Sequence, residues 1–182
     1  MIQILFPVIA VFLYSLPPAR LGFWIGFGLL LFFALIAVID LEYRAILLPV
    51  NILGAVIGLG IGWMIRGPLE TILGGVAGFL MMYALYYLGI IFNRVIGRMR
   101  NIEVEEVALG YGDVYLMGSL GLMMGWPEAV GGLLLALILG GLVSGIIILG
   151  TWLVRKYRPL QAIPYAPFLL LAAVIMIYLP KQ

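Results

Sequence analysis

The sequence predicts an all-α fold, a polytopic transmembrane helical bundle of about six or seven spans. Three observations carry this. The 182 residues are 65% hydrophobic and only 10% charged, whereas soluble chains are about a quarter charged. The apolar residues fall into runs close to the roughly 20 residues that a helix needs to cross a bilayer. A soluble fold of this length cannot hide so much apolar surface, so the lipid bilayer must cover it. Residues 1–182 therefore read as a single membrane-embedded domain.

Seven candidate spans lie at roughly 2–16, 21–39, 46–65, 71–93, 113–126, 128–153 and 163–180. The first is short, ends at Pro17-Pro18, and lacks the basic flank of a cleaved signal peptide. The seventh contains Pro164 and Pro167, which predicts an irregular start. Between the fourth and fifth lies the long polar stretch 94–112, RVIGRMRNIEVEEVALGYG, basic at its beginning and acidic towards its end. It exceeds an ordinary tight connection and reads as a cytoplasmic loop, a lid or an amphipathic segment on the membrane surface. Paired glycines such as Gly74 and Gly75, or Gly140 and Gly141, predict close helix packing. Tyr83, Tyr86 and Tyr87 read as a packing face.

Charge sets the orientation. Arg44, Arg94, Arg98, Arg100, Arg155, Lys156 and Arg158 follow the even-numbered spans, against Arg20, Arg66 and Lys181 on the other side. The richer side is expected to be cytoplasmic, with the N-terminus inside and the C-terminus outside. Glu70 and Glu128 then mark the external interface. A net charge of +2 gives no argument for nucleic acid, and a homo-oligomer is compatible with the composition.

The chain has no cysteine and no histidine. Disulfides, thiol nucleophiles, histidine bases and cysteine or histidine metal sites are excluded. No metal or cofactor is expected. Acid–base chemistry falls to eight carboxylates: Asp40, Glu42, Glu70, Glu103, Glu105, Glu106, Asp113 and Glu128. Serine catalysis has little support, because Ser15, Ser119 and Ser144 lie in apolar runs without a base nearby.

Asp113 opens a span of 14 residues that closes at Trp126 and Pro127. As a helix this is about 21 Å, short of a hydrocarbon core of about 30 Å. If Asp113 lies below the membrane surface, Gly110-Tyr111-Gly112 is non-helical backbone at depth, which only protein or a wet cavity can cover. The glycines allow a bend and close backbone approach. The plainer explanation is that Asp113 caps a helix. Asp40 ends the second span, where the helix dipole disfavours a negative charge. The two acids are 73 positions apart yet fall at the same membrane end. Together they suggest a dyad in which one carboxylate activates water and the other protonates the departing group. The helix ends favour Asp113 as resting base and Asp40 as resting acid.

Three stretches resemble the type IV prepilin peptidases, membrane aspartyl peptidases with a GxGD motif. AVIDLEYRAILLPVNIL places Asp40 as the first active-site aspartate, and EEVALGYGDVYLMGSLGLMMGW places Asp113 as the second, behind Gly110 and Gly112. QAIPYAPFLLLAA is similar to the family's C-terminal proline segment, which puts Pro164 and Pro167 among the expected substrate-binding positions. Departures are Tyr115 where lysine is frequent, Ala166 in place of glycine, and the more distant Pro49. The resemblance implies cleavage of basic leaders from prepilin or pseudopilin-like precursors at the cytoplasmic face of a prokaryotic plasma membrane. It implies peptidase activity only, since the zinc-binding cysteines tied to N-methylation have no counterpart here. Glu103, Glu105 and Glu106 would attract the basic leader. Competing readings are an ion-coupled transporter or channel using membrane aspartates, a non-catalytic assembly protein, and a presenilin-like relative.

Overall fold

The computed structural model describes residues 21–43, 46–100, 110–153 and 164–178, and in these it contains six helices. They are α1 (Gly22–Tyr43), α2 (Leu48–Arg66), α3 (Pro68–Arg100), α4 (Tyr111–Met124), α5 (Glu128–Leu153) and α6 (Ala166–Tyr178). α1, α2, most of α3 and most of α5 are long and apolar enough to cross a membrane. The all-α membrane bundle is therefore the observed architecture. The expected first span, Glu103, Glu105, Glu106 and the basic residues Arg20, Arg44, Arg155, Lys156, Arg158 and Lys181 lie outside the described residues.

Local chemistry sets the breaks. Pro49 sits in the first turn of α2, where its missing N–H costs nothing. Gly67 takes φ +88° between α2 and α3, and the Thr71 hydroxyl donates to its carbonyl at 2.8 Å. Gly125 takes φ +73° at the end of α4 and lets the chain turn into α5. α3 continues beyond the expected fourth span to Arg100, so the polar stretch 94–112 is helical at both ends. Its first seven residues contain no proline, and arginines suit a helix C-terminus.

α4 is the axis of the bundle. Val114, Leu116, Met117, Leu120, Met123 and Met124 are all fully buried. It packs against α2, α3, α5 and α6. This explains why 14 residues suffice: α4 is enclosed by other helices, of which α2, α3 and α5 are longer, rather than by lipid. Small residues permit the approach. A methyl at Gly121 would overlap the Gly74 carbonyl, and one at Gly78 would stand 2.7 Å from the Met117 carbonyl.

α6 lies antiparallel to α1, and two hydrogen bonds fix its register. The Tyr178 hydroxyl donates to the Gly26 carbonyl at 2.6 Å near one end. At the other, the Ala166 N–H donates to Asp40 Oδ2 at 3.2 Å. At the end remote from Asp40, Arg66 pairs with Glu128, and the Trp126 N–H donates to the Glu70 carbonyl at 2.9 Å. Arg66, Glu70 and Glu128 thus share one end, as the charge pattern predicted.

Candidate active site

Asp40 lies in the last turn of α1 and is 4% exposed; Asp113 lies in the first turn of α4 and is 7% exposed. The fold places both at the same end of the bundle, with the two carboxylates within electrostatic reach of one another. Their connection runs through α6, which packs against both α1 and α4.

The local geometry of Asp113 answers the capping question in part. Its Oδ2 accepts the Gly110 N–H at 3.0 Å, and its own N–H donates to the Gly110 carbonyl at 3.1 Å. Asp113 is therefore the third residue of the helix rather than its cap. Gly110, with no side chain, cannot complete the reciprocal bond of a capping box. Tyr111 and Gly112 are already helical, unlike the non-helical bend expected from sequence. The reason is that the carboxylate folds back on the Gly110 amide and satisfies one of the helix's unpaired donors.

The two glycines differ. A Cβ on Gly112 would lie 3.2 Å from both Cβ and carbonyl oxygen of Ile46, so this position holds the chain before α2 against the α4 turn. Among the described residues, a Cβ on Gly110 would meet Asp113 Oδ2 at 3.5 Å and the Gly112 nitrogen at 3.9 Å, and φ there is an ordinary −80°. Of the two, it is Gly112 that lies against a separate backbone segment among the described residues.

Asp40 departs from expectation too. It ends its own helix, but its carboxylate faces the first N–H of α6. Asp40 thus stands at the C-terminal end of α1 and against the N-terminal end of α6, and the second dipole offsets the asymmetry that favoured Asp113 as base and Asp40 as acid. Pro164 and Pro167 flank this contact. Because Ala166 acts through its backbone, alanine in place of glycine leaves the interaction intact.

Three further polar side chains gather here that the sequence did not single out as site residues. Tyr165 lies within electrostatic reach of Asp113, and its buried hydroxyl has no hydrogen-bond partner among the described residues. Asn51, 4% exposed, directs Nδ2 to the Gly112 carbonyl at 3.4 Å. Ser119 donates to the Asn51 carbonyl at 3.2 Å, or to that of Tyr115 at 3.1 Å. The usable signal for Asn51 was a lone amide inside an apolar span. Tyr83, Tyr86 and Tyr87 do form a packing face, joined edge-on to Tyr111 and Tyr115 beside the Asp113 turn.

Fold and site together define a multi-pass helical membrane protein that gathers two buried carboxylates at one end of its bundle. Residues 27–148, which include both acids, match the type IV leader peptidase family, and the chain belongs to that family. It is 29% identical over 158 residues to the prepilin leader peptidase/N-methyltransferase of Aeromonas salmonicida strain A449, covering 80% of this chain and 46% of that protein. The corresponding protein of Pectobacterium carotovorum subsp. carotovorum is 28% identical over 158 residues, 85% of this chain and 50% of its own length. That of Pseudomonas putida is 33% identical over 136 residues, 73% and 40% respectively. The chain thus spans about half the length of these relatives or less. No solved structure matches it.

Proposed function

We propose that this chain is a membrane aspartic endopeptidase that removes basic leaders from pilin-like precursors at the cytoplasmic membrane face. Asp40 and Asp113 are its acid–base pair. The observation that carries this proposal is that two buried acids, 73 positions apart, lie at the same end of the bundle, Asp40 bonded to the Ala166 N–H at the start of α6 and Asp113 in the first turn of α4. Two carboxylates so placed do not readily both ionise, and one proton is shared between them. The ionised member takes a proton from water as the water oxygen attacks the scissile carbonyl carbon. The protonated member donates to the carbonyl oxygen, giving a gem-diol. Collapse breaks the C–N bond, and a carboxyl proton passes to the leaving amine. The pair titrates as a unit, so neither role is assigned to one residue.

The family and the names of its relatives supply the substrate class. The excess of basic residues on the side of Asp40 and Asp113 supports a cytoplasmic site. Glu103, Glu105 and Glu106, just before the Asp113 turn in sequence, would supply negative charge to attract a basic leader.

The test is cleavage of a model prepilin in membranes containing the protein. Wild type is expected to release the leader, and Asp40→Asn and Asp113→Asn are each expected to abolish release. Full activity in either variant defeats the proposal.

A further inference from the structure

Five tyrosines meet in one cluster beside the Asp113 turn. Tyr111, the first residue of α4, has its ring centroid 6.3 Å from that of Tyr83, 5.4 Å from that of Tyr86 and 5.2 Å from that of Tyr115, each edge-on. Tyr87 joins through Tyr83, at 4.7 Å between rings, and the Tyr83 hydroxyl donates to that of Tyr87 at 3.2 Å. Packing does not use up these rings: Tyr111 is 42% exposed and Tyr87 48%.

Tyrosines that anchor a protein in the membrane sit at headgroup level, but helix geometry puts this cluster deeper. The Trp126 N–H donates to the Glu70 carbonyl, which holds the start of α3 and the end of α4 level at the end of the bundle remote from the acids. From that level α3 rises about 20 Å to Tyr83 and about 26 Å to Tyr87. Between Met124 and Asp113, α4 covers about 17 Å. Against a hydrocarbon core of about 30 Å, Tyr83, Tyr111 and Asp113 lie roughly 10 Å below the opposite surface. The next part of α3 agrees. Beyond the tyrosines, Leu88, Ile91 and Phe92 still present exposed apolar side chains before Arg94 brings the first charge.

A peptide bond cut at Asp40 and Asp113 must be drawn down to this depth, and the end of the leader comes with it. A cation there has left bulk water and needs negative counterparts. The acid pair, sharing one proton, supplies a single negative charge. Aromatic ring faces supply more, because they carry negative potential and attract ammonium and guanidinium groups. Tyrosine does so without a further charge that would lie buried whenever no substrate is bound.

We propose that the exposed rings of Tyr111 and Tyr87 seat a lysine or arginine of the leader close to the scissile bond, and so set a preference for basic leaders. Tyr111 lies in the same turn as Asp113, and Tyr87 lies one turn nearer the surface than Tyr83. The seat thus lines the way from the surface down to the acids. This rests on the peptidase function proposed above, and it turns a packing face into a determinant of specificity.

The test compares a model prepilin with a basic leader and one whose leader lysines and arginines are replaced by glutamine, on the same membrane preparations. Wild type is expected to cleave the basic form with the higher kcat/KM. Tyr111→Leu and Tyr87→Leu are each expected to reduce that preference about fivefold, the size of one cation–π contact, through KM rather than kcat. Tyr111→Phe, which keeps the ring, is expected to keep the preference. The ratio between the two leaders does not depend on how much of each variant folds. Binding is read without turnover in the Asp40→Asn protein in nanodiscs, where the Kd values of the two prepilins are expected to show the same preference and the same loss in Tyr111→Leu.

A wild-type preference that is absent, or one left unchanged by both leucine variants, overturns the seat and leaves the cluster to packing and lipid. A preference lost equally in Tyr111→Phe overturns it too, since the ring would then not be the recognising group. A binding preference that follows the tyrosines, with no cleavage by wild type, overturns the peptidase function and retains the seat. Cleavage with an unmoved preference does the reverse, so the two failures are distinguished.

Discussion

At the scale of single residues, Asp40 and Asp113 differ from ordinary helix-end acids in being buried and in facing each other's field. A pair that works on one water loses its function when either member is lost. The Asp40→Asn/Asp113→Asn double variant is therefore expected to be no less active than either single one, each at about one-thousandth of wild type or below. Initial rates of leader release from membranes check this; additive losses would show the acids acting separately. The two motif glycines should also separate. Gly112→Ala must push Ile46 aside, whereas Gly110→Ala meets only ordinary contacts. Gly112→Ala is expected to cut leader release about tenfold or more, through displacement of Asp113. Gly110→Ala should stay within about twofold of wild type. The sequence named both glycines alike, because a shared motif cannot say which one faces another segment of backbone.

At the scale of elements, α4 depends on glycines in its neighbours. Gly74 in α3 and Gly121 in α4 leave no room for a methyl between them. Gly121→Ala is expected to destabilise the fold by about 1–3 kcal/mol through overpacking. Gly89→Ala, in the long helix α3 but with no described residue within 4 Å of an added methyl, should be neutral or slightly stabilising. Equilibrium unfolding in mixed detergent micelles measures both. Much of this level was legible in the sequence. The spans at 21–39, 46–65, 71–93 and 128–153 all correspond to observed helices, because runs of apolar residues broken by Pro and Gly leave little choice. The end of α3 at Arg100 was not legible, since polar residues can continue a helix as easily as begin a loop. The start of α4 at Tyr111 was hidden for a different reason. The Gly110 N–H is satisfied by the Asp113 side chain, an interaction that residue types alone do not fix.

At the scale of the whole molecule, the two buried acids and the Arg66–Glu128 ion pair occupy opposite ends of the bundle. The order of the spans alone placed Asp40 and Asp113 at one membrane end, but it did not show that α6 packs against the helices of both. The bond from the Ala166 N–H to Asp40 spans 126 positions, and local pattern has no access to such a contact. The opposite end is tied by Arg66 and Glu128, whose side chains are only 13% and 7% exposed. Removing one partner of a buried ion pair strands the other charge and costs about 3–5 kcal/mol, whereas replacing both with apolar groups of similar size is often neutral. Arg66 is partly exposed and has Glu70 beside it, so Glu128→Leu alone is expected to destabilise the fold by less than that, about 1–2 kcal/mol, and Arg66→Met/Glu128→Leu to recover most of the loss. Since this pair lies at the end of the bundle away from Asp40, the double variant should cleave prepilin with a kcat within about twofold of wild type. Unfolding in detergent together with kcat on the same preparations checks both halves. A double variant as stable as wild type but inactive would mean that the two ends are coupled through α4, whose two ends lie one beside Asp40 and the other beside the Arg66–Glu128 pair.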